Sequence, residues 1–553
     1  MWQDLLKVWL VVGFLVVHTG ADDTIVSTKQ GEVSGKKVSV LSGSVTAYLG
    51  IPYGEPPTGT QRFKKPQPRK PWDGVLKATE FGNSCFQIKE DEYFNFPGIE
   101  MWIVNNEMSE DCLYLNVWVP SPKPKHAAVM VFIYGGAFIT GTTSLDIYDG
   151  SVLAYAENVI VVSMNYRLGA LGFLALPGNK NAPGNAGLFD QRLALQWVHE
   201  NIESFGGNPD GITIFGHSAG AASVGYHVIS AGSHNFFSRA IIQSGSATAY
   251  WAISSHERAR KLTLKEAELL GCPLEDDDAL IECLQKQDPK DLTDKQLSVE
   301  TQYALTLFTP VLDSDFISEN PDILVEKTLK QGDILIGITK DDGNPCTVFG
   351  APGFSAKNES LVTLAQLEEG LKFYLPSTGD LGIESILLQY VDWDDTDNLE
   401  KNRDAMELIL RDYYFSCPIK QFVKHATGHG NKVFLYEYDY RFSSEVWPEW
   451  MGVVHGAELP LLFGKPLIDS TNFTNAERLL SKRIMTFWAN FARDGSPTGD
   501  TEEFIWPQYS NKDEKYTILK RDHSEVHQKW FNRQCQFWNN FFPKLVEQLK
   551  SKP

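Results

Sequence analysis

Short apolar, β-branched runs recur along the chain at Ala127–Tyr134, Val159–Tyr166, Gly211–Phe215, Arg239–Gln243, Asp333–Thr339 and Lys432–Tyr438. They are nearly continuous rather than alternating, the pattern of strands buried on both faces, and they predict a mostly parallel sheet. Between the second and third runs, Leu188, Leu195, Val198 and Ile202 fall at spacings of 7, 3 and 4 within Leu188–Phe205 and leave Arg192 and Glu200 outward. That is the period of a crossover helix. Strands alternating with helices predict an α/β fold with helices on both faces of the sheet.

No internal repeat or Gly/Ser-rich linker divides the chain, and the Pro-rich basic stretch Arg62–Pro71 is short enough to be a solvated loop. The long stretches Ser254–Val311 and Pro352–Asp412 are placed as helical excursions at strand ends, where α/β folds assemble their sites. A single domain over 22–553 is therefore expected. Two sequons, at Asn358 and Asn472, predict glycosylated surface loops if the chain is secreted.

Composition narrows the class. With 42% hydrophobic and 22% charged residues, the chain excludes disordered and collagen-like classes. Acidic residues outnumber basic ones, 70 against 50, and a net charge of −20 repels a phosphate backbone, so no nucleic-acid partner is expected. Residues 1–21 read as a secretory signal: Lys7, an apolar run from Val8 to Val17, then the small residues Thr19-Gly20-Ala21. That run is too short to span a bilayer, and the C-terminal residues carry no hydrophobic tail of a lipid-anchor signal. A secreted protein without a membrane anchor is the expectation.

Seven cysteines in an oxidising compartment suggest three disulfides and one spare thiol, although spacing constrains the pairing weakly. Cys272 and Cys283 flank a short acidic insertion, Cys85 and Cys112 close the next smallest loop, and Cys417 with Cys535 then staples the C-terminal segment, which leaves Cys346 single. No Cys-x-x-Cys pair appears, and no metal site is expected.

The chemistry centres on Gly216-His217-Ser218-Ala219-Gly220, which follows the strand Ile212–Phe215 and precedes the helix-compatible Ala221–Ile229. Gly-x-Ser-x-Gly between strand and helix is a turn so tight that only small residues fit two places either side of the serine, and it lifts the hydroxyl above the sheet. A serine hydroxyl needs a base, and in this context a carboxylate and then an imidazole are expected downstream. Of the later histidines, His425, His429, His523 and His527 sit in polar or charged sequence, whereas His455 lies in the glycine-flanked apolar loop Met451–Gly456. His455 is the candidate base. Asp341 and Asp342, at the end of the strand Ile334–Thr339, are by position nearly equal candidates for the acid. An oxyanion hole requires backbone N–H groups aimed at developing charge, and the small-residue loop Gly135-Gly136-Ala137 with the N–H of Ala219 can supply them.

These residues, together with Phe205–Pro209 before the serine and Glu110-Asp111-Cys112-Leu113-Tyr114-Leu115-Asn116, resemble the type-B carboxylesterases of the α/β-hydrolase fold. The cholinesterase branch is the most similar, through Glu100-Met101-Trp102, Ser163–Arg167, Gly350–Phe354 and Trp447–Gly452. The resemblance covers essentially the whole mature chain. It implies Asp342 as the acid, where that branch has glutamate, supports the three disulfides, and implies a small-molecule ester substrate without cofactor or metal.

Within the resemblance, Trp102 matches the tryptophan whose π-face holds a quaternary ammonium, and Trp251 and Phe415 match an acyl pocket. Departures accompany these matches. His217 stands where cholinesterases carry glutamate before the serine, and Ala457 and Cys346 replace aromatic residues. The expectation is a serine carboxylic-ester hydrolase that prefers neutral esters. The alternatives are a true cholinesterase and a secreted binding or adhesion protein of the same family that has lost catalysis.

Overall fold

The computed structural model describes residues 24–89, 96–299, 306–313, 315–499 and 504–550, so the expected signal segment, residues 1–21, lies outside the described residues. Eleven described strands form one sheet: β1 (Lys36–Val40), β2 (Gly43–Pro52), β3 (Tyr114–Ser121), β4 (Ala127–Ile133), β5 (Ile160–Met164), β6 (Gly207–His217), β7 (Arg239–Gln243), β8 (Ile334–Thr339), β9 (Val433–Tyr438), β10 (Lys515–Leu519) and β11 (Ser524–Gln528). Their spatial order is β11-β10-β9-β8-β7-β6-β4-β5-β3-β2-β1. Pairing is parallel from β5 through β10 and antiparallel at both margins. Every residue of β5 and β8 is buried, as a sheet covered on both faces requires. The chain has the α/β-hydrolase fold.

The crossover helix α1 (Ala186–Asn201) buries Leu188, Leu195 and Val198, while Ile202 begins a 3-10 turn that ends at Phe205. Arg192 departs from the expected outward position. Its guanidinium lies 3.9 Å over the Phe316 ring and hydrogen-bonds Ser230 and Ser233, because the turn at Ser230–Ser233 and the segment at Asp315–Phe316 pack over this face. Helix α2 (Ala219–Ile229) follows β6 directly and is buried along its whole length.

The two long stretches are helical excursions. The first holds α3 (His256–Leu269), capped by Ser255, and α4 (Asp277–Leu284), capped by Asp276. The second holds α5 (Leu364–Tyr374), whose start is a reciprocal Thr363/Gln366 capping box, then α6 (Asp380–Tyr390) and α7 (Leu399–Arg411), capped by Asn398. Disulfides join Cys85–Cys112, Cys272–Cys283 and Cys417–Cys535, and Cys346 is free. Among the described residues no helix is long and apolar enough to cross a membrane. Asn358 and Asn472 are both exposed.

Candidate active site

Four loops at the carboxyl ends of parallel strands converge on one cavity of about 490 Å³. They follow β4, β6, β8 and β9, and they carry Gly135–Ala137, Ser218, Asp342 and His455.

The turn after β6 is dictated by close approach. A Cβ on Gly216 would lie 2.5 Å from the Gly220 carbonyl oxygen, and one on Gly220 would lie 2.0 Å from that of Ile133, so neither position accepts a side chain. Ser218 itself holds φ 57° and ψ −123°, a strained conformation for a non-glycine residue. Its N–H donates to the Gln243 carbonyl at 2.9 Å, and its carbonyl accepts from Ala222 N–H at 2.9 Å in the first turn of α2. The turn is thus tied to β7 on one side and to α2 on the other, and the hydroxyl is left on the cavity wall.

The two aspartates after β8 divide the work. Asp342 is fully buried, and its Oδ1 accepts from His455 Nδ1 at 2.6 Å and from Thr339 Oγ1 at 3.0 Å. That bond leaves His455 Nε2 as the ring nitrogen available to the cavity. Asp341 Oδ2 instead accepts from Val453 N–H at 2.7 Å, two residues before the imidazole. His455 N–H donates to the Asn344 carbonyl at 2.8 Å, and Asp341 N–H and Asn344 Nδ2 donate to the carbonyls of Val453 and Met451 at 3.2 and 3.1 Å, so the loops of acid and imidazole are laced together by five hydrogen bonds.

The loop after β4 runs beneath the serine. A Cβ on Gly135 would lie 2.8 Å from Ser218 Cβ, and Gly136 (φ 112°), Ala137 (φ 52°) and Phe138 (φ 65°) all adopt left-handed backbone. The Gly136 carbonyl is engaged by the N–H groups of Ile139 and Thr140, at 2.9 and 3.0 Å. Gly136 and Ala137 line the cavity, and Ala219 opens α2 immediately after the serine, where helix N–H groups have no intrahelical acceptor. Backbone donors thus gather near Ser218.

A row of rings forms the floor. Trp102 stacks on His217 (6.4 Å, 15°), His217 abuts His455 (4.3 Å), His455 abuts Phe415 (4.8 Å), and Phe415 meets Trp251 (6.2 Å). His217 is 4% exposed, and burial followed by the neighbouring His455 pushes its pKa well below the usual histidine value, which leaves a neutral imidazole. Cys346 also lines the cavity, and burial pushes its thiol up to about 12, so the thiolate is absent near neutral pH. Among the described residues no cluster of three or more His, Cys, Asp or Glu side chains is arranged to hold a metal ion.

Ser218, His455, Gly136, Ala137, Trp102, His217, Trp251, Phe415 and Cys346 line the cavity, and Asp342 joins them through His455, whereas Ala219, the sequons and the disulfide cysteines are not among the lining residues. His425, His429, His523 and His527 do not line the cavity. Sequence reasoning did not place Tyr148, Phe349 and Trp447 in the wall, because single aromatic residues in loops carry no periodic signal of a cavity. It also missed Glu458, fully buried three residues after His455. Glu458 Oε1 accepts from Gln243 Nε2 at 3.0 Å, Oε2 has no partner, and burial raises its carboxyl to about 7. The signal was available: a lone charge opening the apolar run to Leu462.

A model of the carboxylesterase family matches residues 22–538. Cholinesterase of Mus musculus is 48% identical over 534 residues, covering 96% of this chain and 88% of its own. Acetylcholinesterase of Danio rerio is 46% identical over 564 residues (95% and 89% covered), and that of Bungarus fasciatus is 46% identical over 530 residues (95% and 88% covered).

Proposed function

We propose, for a chain that belongs to the carboxylesterase family and is a carboxylic ester hydrolase, that Ser218, His455 and Asp342 carry the reaction and that neutral esters are the preferred substrates. The observation that supports the mechanism is the convergence, in one cavity, of a serine on a strained strand-to-helix turn and an imidazole bonded at 2.6 Å to a buried carboxylate.

Ser218 Oγ attacks the ester carbonyl while His455 Nε2 takes its proton, and Asp342 holds the ring and stabilises the imidazolium. The carbonyl oxygen becomes an oxyanion that accepts from the N–H groups of Gly136, Ala137 and Ala219. Collapse of this intermediate expels the alcohol, which takes the proton from His455. Water, deprotonated by the same imidazole, then attacks the acyl-serine and releases the carboxylic acid, restoring Ser218.

Preference for neutral esters rests on His217. A neutral imidazole beside the nucleophile supplies no negative field for a quaternary ammonium. The second reading, hydrolysis of choline esters, is favoured by Trp102 in the cavity wall and by the names of the relatives.

The test compares kcat/KM for acetylcholine and for 3,3-dimethylbutyl acetate, in which carbon replaces the ammonium nitrogen. A higher value for the neutral ester supports the first reading, and a higher value for acetylcholine supports the second. Folded Ser218→Ala is expected to lose turnover of both by several orders of magnitude, and retained turnover would remove the mechanism.

A further inference from the structure

The turn that carries the acid packs against the last turn of α7. A Cβ on Gly343 would lie 2.2 Å from the Glu407 carbonyl oxygen and 2.8 Å from the Arg411 backbone nitrogen, so the two backbones touch at that glycine. Two side chains of α7 grip the turn at its ends. Glu407 Oε1 accepts from Gly343 N–H at 3.2 Å, and Arg411 Nη1 donates to the Lys340 carbonyl at 3.3 Å. Asp341 and Asp342 lie between the two held residues.

Packing gives no reason for either side chain to be ionisable. Glu407 and Arg411 are buried on a helix turn shared with Met406, Ile409 and Leu410, where an apolar residue would be buried at lower cost. What the two supply is hydrogen bonding to the backbone of the turn. Burial raises the Glu407 carboxyl to about 8 against the opposing charge of Arg411, so near neutral pH the acceptor belongs to an uncharged acid.

The same stretch of helix reaches the imidazole. Arg411 Nε donates to Asp412 Oδ1 at 3.1 Å, and Asp412 Oδ2 accepts from Tyr390 Oη at 2.8 Å, which ties the start of a π turn over Asp412–Ser416 to the end of α6. That turn carries Phe415, whose ring abuts His455 at 4.8 Å. One segment therefore meets both partners of the 2.6 Å bond between Asp342 and His455, the acid through backbone and the base through a ring. Such π turns within helices are frequent at functional sites.

We propose that Glu407 is a positioning residue for ester hydrolysis: with Arg411 at the other end, it holds the turn 340–343 and so sets where the Asp342 carboxylate meets His455. The inference rests on the reading of Asp342 as the acid. An aspartate side chain is short, so its carboxylate goes where the backbone puts it, and misplacing a reacting group by about 1 Å costs about 100-fold in rate.

The experiment is a double-mutant cycle read with p-nitrophenyl acetate, an ester reactive enough to report weakened variants. Glu407→Leu is expected to lower kcat about 10- to 100-fold with little change in KM. It should also move the acid limb of kcat/KM against pH toward lower pH, because an imidazole whose carboxylate is misplaced holds its proton less tightly. Glu407→Gln keeps the acceptor and should recover most of the rate. In the Asp342→Asn background, Glu407→Leu should cost little more, since a residue that acts through Asp342 then has nothing left to position. Glu407→Asp, one methylene too short for the same bond, goes through the same cycle and serves where Glu407→Leu does not fold. Unchanged kcat in a folded Glu407→Leu or Glu407→Asp protein, or an equal loss with and without Asp342, overturns the proposal. Retained turnover in Asp342→Asn alone would instead sink the reading of the acid, a result that no Glu407 variant can produce.

Discussion

Asp341 and Asp342 are neighbours that grip the same loop from different sides: Oδ2 of Asp341 accepts from Val453 N–H at 2.7 Å, and Oδ1 of Asp342 from His455 Nδ1 at 2.6 Å. One carboxylate holds backbone and the other holds the imidazole. Their substitutions should therefore fail differently. Asp342→Asn is expected to lower kcat by roughly four orders of magnitude with the fold intact, since an amide cannot stabilise the imidazolium and favours the wrong tautomer. Asp341→Asn should cost stability and about 10-fold or less in rate, because a neutral side-chain oxygen can still accept from Val453. Single-turnover rates and thermal melts of the two variants check this. Equal catalytic losses would contradict the division of roles.

A second prediction concerns Glu266 in α3, remote from the cavity. It is fully buried, both carboxylate oxygens lack partners, and burial raises its pKa from 4.5 to about 8, with Lys295 opposing the shift. The folded state thus holds a proton there that the unfolded state has released. Its relative stabilisation of the folded chain is complete below pH 4.5 and disappears as pH rises to 8, because the unfolded chain binds fewer protons throughout that window. Glu266→Met, of similar volume, should then melt higher than wild type at pH 8 and by a smaller margin at pH 5. Melting curves across the range test this, and a constant margin would show that Glu266 ionises in the folded state as it does in the unfolded one.

The parts of the site that are legible in sequence are those fixed by local geometry. Gly216, Ser218 and Gly220 announce a turn because strand, turn and helix are consecutive, and His455 stands out because an imidazole in an apolar glycine-flanked loop has few structural reasons to be there. The parallel strands were equally plain from their continuous apolar runs. Position along the chain could not separate Asp341 from Asp342, because both end the same strand and only the path of the loop after β9 decides which meets His455. Arg192 was misplaced for the same reason: helical period gives a face, but not what later chain covers that face. Glu458 shows the limit most clearly, since its raised pKa comes from burial under distant elements that helical or strand period does not encode.

The disulfides should differ in what they contribute. Cys417–Cys535 spans 118 residues and Cys272–Cys283 spans 11. In the loop-entropy model, closure destabilises the unfolded chain by about 5 kcal/mol for the longer span and about 3 kcal/mol for the shorter. Replacing both cysteines of the long bridge with serine should lower the denaturation midpoint more than the same change at the short one. Denaturant titration of the two double variants measures this. The reverse order would mean that local packing, and not loop length, governs the contribution.

His217→Glu tests whether the residue before the serine sets the charge preference of the site. The imidazole lies against Trp102 at 6.4 Å, so a carboxylate in its place would stand beside the indole face on which an ammonium group would rest. Opposite unit charges about 5 Å apart attract by about 3 kcal/mol at an effective dielectric of 20, and burial of the new carboxylate opposes this by favouring its protonated form. The net shift expected in the ratio of kcat/KM for acetylcholine to that for 3,3-dimethylbutyl acetate is therefore about 10- to 100-fold toward choline. Trp102→Ala in the His217→Glu background should remove much of that gain, since the cation then loses its aromatic face. If the ratio stays constant in folded His217→Glu, the side chain at 217 does not reach the substrate's alcohol group, and the charge argument for neutral-ester preference fails with it.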